Sequence, residues 1–131
     1  MTEFRLLPEL TERNRVFWTA GGEGRLMLWR CQDCRCWLHP PAPVCPSCLS
    51  RDLKPEQVSG RGTLVSITVN HQPWNATVPV PYSIGLIELD DAPGLRLMTG
   101  VEGEPPIGAL MEVGFVNDRD VWIPVFAEVG Q

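Results

Sequence analysis

Cys31-Gln32-Asp33-Cys34 and Cys45-Pro46-Ser47-Cys48 stand ten residues apart, and the spacing of their thiols decides how the first half of the chain folds. Two residues between paired cysteines let both sulfurs of a knuckle point at one ion, and two knuckles complete a tetrahedron. The segment Cys31 to Cys48 is too short to build a core of its own. Metal binding, worth about 10–16 kcal/mol in small zinc modules, then has to supply its folding energy. Four thiolates leave no open position for water, so the expected Zn2+ is structural, and the same donor set admits iron. Cys36 and His39 lie in the same stretch. Neither gives a symmetric pair of knuckles, so Cys36 reads as a spare thiol and His39 as a loop residue.

Working outward, Gly24-Arg25-Leu26-Met27-Leu28-Trp29-Arg30 alternates as a strand leading into the first knuckle. Before it, Pro8 and Glu9–Ala20 read as a helix that starts on proline and acids and ends at Gly21-Gly22. Leu6, Leu10 and Phe17, with Leu7 and Trp18 beside them, form its apolar side. That side either covers the protein's own barrel or, through Phe17 and Trp18, meets a partner. After the knuckles, Asp52–Gln57 leads into five β-rich runs: Val58–Val69, Tyr82–Leu89, Leu95–Val101, Leu110–Asn117 and Val121–Ala127. Proline, glycine and aspartate clusters separate them. Five such strands without a further helix predict a small closed barrel of the OB type, with a bend near Gly60 and Gly62. The expected fold is thus mainly β. A helical segment occupies residues 1–23, a rubredoxin-like zinc ribbon residues 24–57, and a five-stranded OB-fold residues 58–131.

Hydrophobic residues make up 44% of the chain and charged residues 21%, the balance of a folding, soluble protein. Met1–Glu9 is interrupted by acids and a proline, so it does not read as a signal peptide. No run approaches the roughly 18–20 apolar residues that span a bilayer, so a cytoplasmic protein without a membrane partner is expected. In a reducing compartment, paired cysteines point to metal and not to disulfides. The net charge of −5 is uneven: residues 1–61 hold nine Lys and Arg against seven Asp and Glu, and residues 62–131 hold two against nine. A nucleic-acid binder needs a basic face to release counterions, and the acidic second half argues against that role.

No G-x-S-x-G, H-E-x-x-H, phosphate loop or dinucleotide fingerprint occurs, and only His39 and His71 are available as histidines. Arg30, Arg35 and Arg51 flank the cysteines, where they either offset four thiolates or bind a phosphorylated ligand. Arg61, between Gly60 and Gly62, is a ligand contact or an ordinary bulge residue. Trp74, in the proline-rich loop 70–81, binds a ligand or caps the barrel, and Tyr82 bonds a ligand or satisfies its hydroxyl at the rim.

Taken in order, Phe17-Trp18, Gly24-x-Leu26, Arg30-Cys31-x-x-Cys34, His39-Pro40-Pro41, Cys45-Pro46-x-Cys48, Ser59–Leu64, Pro81-Tyr82 and Gly85–Asp90 resemble the "domain of unknown function 35" proteins. The resemblance covers about residues 10–127. It implies a zinc ribbon followed by an OB-fold, and a non-catalytic accessory subunit that binds or channels acyl-CoA for a thiolase-like protein in a hetero-oligomer. The partner then makes or breaks C–C bonds, as in retro-aldol cleavage of steroid side chains. Ala42 replaces an arginine usual in that family and Leu49 a frequent glycine. The rival readings are an accessory subunit of an enoyl-CoA hydratase, a nucleic-acid-binding ribbon and barrel, and a stand-alone enzyme using Cys36 as nucleophile.

Overall fold

A computed structural model describes residues 7–74 and 78–129. Leu6, expected on the helix, and Asn75, Ala76 and Thr77 of the proline-rich loop lie outside the described residues. The N-terminal helix is much shorter than its pattern predicts. α1 covers only Arg15–Thr19 and runs into a 3-10 turn over Ala20–Glu23. Thr11 and Asn14 explain the late start, because each side chain bonds the other's backbone N–H, at 2.7 Å to Asn14 Oδ1 and 3.1 Å to Thr11 Oγ1. Short polar side chains that satisfy the backbone in this way compete with helix. The Trp29 indole N–H then donates to the Arg13 carbonyl at 2.6 Å and ties the segment to the ribbon.

The α-helix ends just before Gly21 and Gly22, as their sequence predicts, and both glycines also serve packing. A Cβ on Gly21 would lie 2.5 Å from Phe115 Cδ1 and 2.7 Å from Trp122 Cβ, so only hydrogen permits this contact with the barrel.

The ribbon is a three-stranded antiparallel sheet in the order β2-β1-β3, with β1 Leu26–Cys31, β2 Trp37–Leu38 and β3 Leu53–Val58. β3 is hidden in the sequence because Pro55 sits inside it. Proline is tolerated there because β3 is an edge strand, where no second neighbour needs its missing N–H. The run read as one strand from Val58 to Val69 is therefore two: Val58 ends β3, and β4 begins at Arg61. Between them Gly60 adopts φ +80°, a left-handed turn that redirects the chain from ribbon to barrel.

The barrel is closed in the order β4-β5-β6-β8-β7, from β4 Arg61–Asn70, β5 Tyr82–Leu89, β6 Arg96–Val101, β7 Leu110–Asp118 and β8 Val121–Glu128. Burial alternates strictly along β5, with Ser83, Gly85, Ile87 and Leu89 inward. The bend expected near Gly60 and Gly62 is the turn at Gly60, and a separate register break falls between Leu64 and Ser66. Gly62 lets β4 approach the Glu88 carbonyl closely. β6 and β8 run parallel and pair only through Gly100↔Val125 and Val101↔Phe126, the shortest seam of the barrel.

One core joins both parts. Phe17, Leu26, Leu28 and Val58 pack in the same cluster as Leu64, Ile87, Met111 and Phe126. The ribbon tip has only Cys31, Leu38 and Cys45 fully buried, which is why it needs a metal staple and the barrel does not. No described helix is long and apolar enough to cross a membrane.

Candidate metal centre and an adjoining apolar groove

Cys31, Cys34, Cys45 and Cys48 place their sulfurs within 4.8 Å of one another. Cys31 and Cys48 Sγ lie 3.6 Å apart, and Cys34 and Cys45 Sγ 3.5 Å. A Zn–S bond of about 2.3 Å sets tetrahedral sulfurs about 3.8 Å apart, so the donor set and its geometry fit a structural zinc ion. Cys36 stays outside, with its thiol near the Trp37 carbonyl and the Ser47 hydroxyl, each at 3.6 Å.

The two knuckles repeat one backbone design. Cys31 N–H donates to the Cys36 carbonyl and Cys45 N–H to the Ser50 carbonyl, while Arg35 and Leu49 N–H return to Cys31 and Cys45 carbonyls at 3.0 and 2.9 Å. Cys34 N–H and Ser47 N–H point at Cys31 and Cys45 Sγ, both at 3.4 Å. These backbone bonds lead the interactions that hold Cys31 down at about 6, and a backbone bond from Cys48 leads those that lower Cys45. Cys34 and Cys48 also gain backbone bonds favouring the thiolate, but desolvation and neighbouring sulfurs outweigh them and push both up, Cys34 to about 12. Bare thiols this close oppose each other's ionisation, and a divalent cation removes the conflict.

Two of the three flanking arginines, Arg30 and Arg35, are bound internally. Arg35 makes a two-pronged pair with Glu56 at 3.0 and 3.1 Å, and Arg30 reaches the same carboxylate at 3.5 Å while lying 4.3 Å over the Trp37 ring. Arg51 is exposed beyond the second knuckle.

Next to the ribbon lies a groove of about 1,020 Å³. Phe17 and Trp18 from α1 form one wall, and His39, Pro40 and Pro41 from the ribbon form another. Leu97, Met98 and Thr99 of β6, with Ile123 and Pro124 of β8, supply the barrel side, at the short β6–β8 seam. Phe17 is buried and meets Trp18 edge-on at 4.8 Å and the His39 ring at the same distance. Burial lowers the His39 pKa, so its imidazole is neutral at pH 7.

Phe17 and Trp18, read as candidate interface residues, thus line this groove. Arg61, Trp74 and Tyr82 do not, and the fold sets Arg61 at the opposite end of β4 from Tyr82. Arg61 opens β4 and pairs with Glu112 at 3.1 Å, whereas Tyr82 faces Asn70 at the strand's other end, about 30 Å away at 3.3 Å per residue. Trp74 is 79% exposed in the loop beyond. Sequence reasoning missed the groove's ribbon and barrel walls. Only His39-Pro40-Pro41, a rigid run beside a knuckle, gave a local signal.

Fold and site together define a four-cysteine ribbon fused to an OB barrel. Residues 18–54 match the family model for the ChsH2 rubredoxin-like zinc ribbon domain, and residues 55–116 that for the ChsH2 C-terminal OB-fold domain. The chain belongs to this ChsH2/DUF35 family. It is 32% identical over 124 residues to a probable enoyl-CoA hydratase alpha subunit of Thermomonospora curvata, a match covering 91% of this chain and 38% of that protein. It is 34% identical to a DUF35 domain-containing scaffold protein of Pyrococcus furiosus, over 72% of this chain and 70% of the relative. The chain spans 31% of the 3-oxo-4,17-pregnadiene-20-carboxyl-CoA hydratase alpha subunit of Mycobacterium tuberculosis, at 30% identity over 76% of its own length. Among solved structures, it superposes on a chain of the Ltp2-ChsH2(DUF35) aldolase with a TM-score of 0.82 and 30% identity, covering 93% of this chain and 98% of that one.

Proposed function

We propose that this chain is a non-catalytic accessory subunit that binds or channels an acyl-CoA thioester for a thiolase-like partner making or breaking C–C bonds, with steroid side-chain retro-aldol cleavage as the reaction. The observation that carries the reading is the near full-length likeness to the chain of the Ltp2-ChsH2(DUF35) aldolase. The local chemistry supports it. The metal shell is closed to substrate, and the groove beside it is lined mainly by apolar residues and rings. The zinc ion then braces the knuckles that carry His39-Pro40-Pro41 into the groove wall.

A second reading, an accessory role beside a hydratase, is favoured by the two hydratase alpha subunits among the relatives, although the shared region is only 38% and 31% of those proteins. Co-expression with a thiolase-like protein, and separately with a hydratase subunit, tests both. Co-purification with the thiolase-like protein, and aldol cleavage only by the pair, are expected. Turnover by the isolated chain, or assembly with the hydratase subunit alone, overturns the reading.

A further inference from the structure

The groove is built for hydrocarbon and not for the phosphates of coenzyme A. Rings dominate its walls: Phe17, Trp18 and His39 are aromatic, and Pro40, Pro41 and Pro124 present rigid saturated faces. An anionic head needs unpaired cations or convergent backbone donors. Among the described residues, Arg13 is the only lysine or arginine lining the groove, and Glu12 sits beside it. Of the other candidate arginines, Arg30 and Arg35 are engaged by Glu56 and Arg61 by Glu112, and Arg51 is exposed beyond the second knuckle, outside the groove lining.

Size and edge chemistry narrow the ligand further. At about 1,020 Å³ the groove stands at the top of the range of roughly 300–1,000 Å³ typical of small-molecule sites, more than a short acyl chain fills. β6 pairs with β5 through six residue pairs but with β8 through two, so Leu97 and Met98 line the groove on an edge that no β8 residue pairs. That edge offers backbone hydrogen bonds to one polar function on an otherwise apolar molecule. Met98, 70% exposed at the rim, supplies a flexible thioether that adapts to an irregular hydrocarbon surface.

We propose that the groove binds the bulky, neutral, ring-containing hydrocarbon part of the thioester, leaving the anionic coenzyme A head to the partner chain. The attachment of that hydrocarbon to coenzyme A rests on the accessory-subunit reading; the ring-binding site itself rests on the groove.

Calorimetric titration of the full chain, alone and with its co-purified partner, tests the assignment with three probes: progesterone as a neutral tetracyclic ketone, octan-2-one as a linear one, and free coenzyme A. Saturable binding of progesterone is expected, with octan-2-one weaker and coenzyme A not bound by the chain alone. Met98→Arg and Pro41→Glu, both at the groove, are each expected to weaken progesterone by about tenfold or more, while Leu110→Arg, at an exposed position outside the groove lining, leaves it unchanged. Coenzyme A binding to the chain alone without progesterone, equal binding of the linear ketone, or indifference to both groove variants overturns the proposal. If the chain assembles with a thiolase-like protein but takes no ketone in either state, the groove assignment falls and the subunit reading stands. If it takes the ketone but no such partner, the reverse holds.

Discussion

Asp91 grips Ser59 with both carboxylate oxygens: the Ser59 N–H donates to Oδ2 at 3.1 Å and its hydroxyl to Oδ1 at 2.6 Å. Ser59 lies where β3 of the ribbon turns into β4 of the barrel, and Asp91 belongs to the β5–β6 turn, so the pair clasps the junction to a neighbouring loop. The Ser59 hydroxyl also accepts from Arg61 N–H at 3.2 Å, fixing the entry to β4. Asp91→Ala removes both bonds to a charged acceptor. Because the pair is exposed, a loss of about 1–2 kcal/mol is expected in urea unfolding. An unchanged midpoint contradicts the clasp.

The clasp marks the part of the fold that sequence reading missed. Val58 to Val69 is continuously β-prone, and nothing local to Ser59-Gly60 distinguishes a strand break from a bend; the left-handed φ of Gly60 does. Pro55 disguised β3 because its tolerance depends on an edge position that only the tertiary arrangement supplies. β5, by contrast, was legible to the residue, since Pro81 and Asp90-Asp91 fence a run whose alternation is uninterrupted. The four metal-site cysteines were legible because knuckle geometry is local. The groove was not, because its walls meet from residues near positions 17, 40, 98 and 124, and no single segment carries its pattern.

Leu49 tests how local the knuckle design is. It holds φ +65°, the counterpart of Arg35 at +67° in the first knuckle, and its side chain is 72% exposed. A residue with a Cβ in this region costs roughly 1–2 kcal/mol, partly offset in the glycine variant by unfolded-chain entropy. Leu49→Gly is therefore expected to stabilise the protein by up to about 1 kcal/mol in thermal or urea unfolding, with metal content unchanged. A loss of stability means that the exposed leucine makes contacts the isolated chain depends on.

Removing one sulfur separates tip from barrel. Cys45 is fully buried in the small ribbon cluster, whereas the barrel's share of the core contains no cysteine. Cys45→Ser is expected to abolish bound metal, read by elemental analysis. It is also expected to erase hydrogen-exchange protection at β2 and the Cys31 end of β1 while β5 stays protected. Loss of protection throughout the barrel contradicts a division into a metal-dependent tip and an independent core.

Glu56 links the ribbon's charge to acid stability. A side-chain bond from Gln32 leads the causes that lower its pKa below the ordinary 4.5, followed among the favourable ones by Arg35 and Arg30. The unfolded chain therefore binds a proton at higher pH than the folded one does. The carboxylate's contribution is complete above about pH 4.5 and fades as pH falls through the lower, folded value. Glu56→Gln is expected to be less stable than the parent at pH 7, with the difference shrinking as pH drops below 4.5. Urea midpoints for both proteins across that range check this, since metal loss in acid is common to the two and cancels. A gap constant with pH shows that Glu56 acts by packing alone.

The contact of Gly21 with the barrel connects stability to the groove. A Cβ at Gly21 meets the Phe115 ring edge and Trp122 Cβ, both on strands already paired along their length, so neither can retreat without moving β7 or β8. At Gly22 the added atom meets the Trp122 indole nitrogen at 3.1 Å, near the outer end of that side chain. Gly21→Ala is expected to cost about 1–3 kcal/mol by overpacking, and Gly22→Ala clearly less. The strain has one ready outlet, displacement of α1 away from the barrel, and α1 carries Phe17 and Trp18 into the groove wall. Gly21→Ala should thus also weaken progesterone binding at temperatures where the variant is fully folded, whereas Gly22→Ala should not. If Gly21→Ala lowers the melting temperature but binds the ketone as the parent does, the strain is absorbed within β7 and β8, and the groove is held by the ribbon rather than by the N-terminal segment.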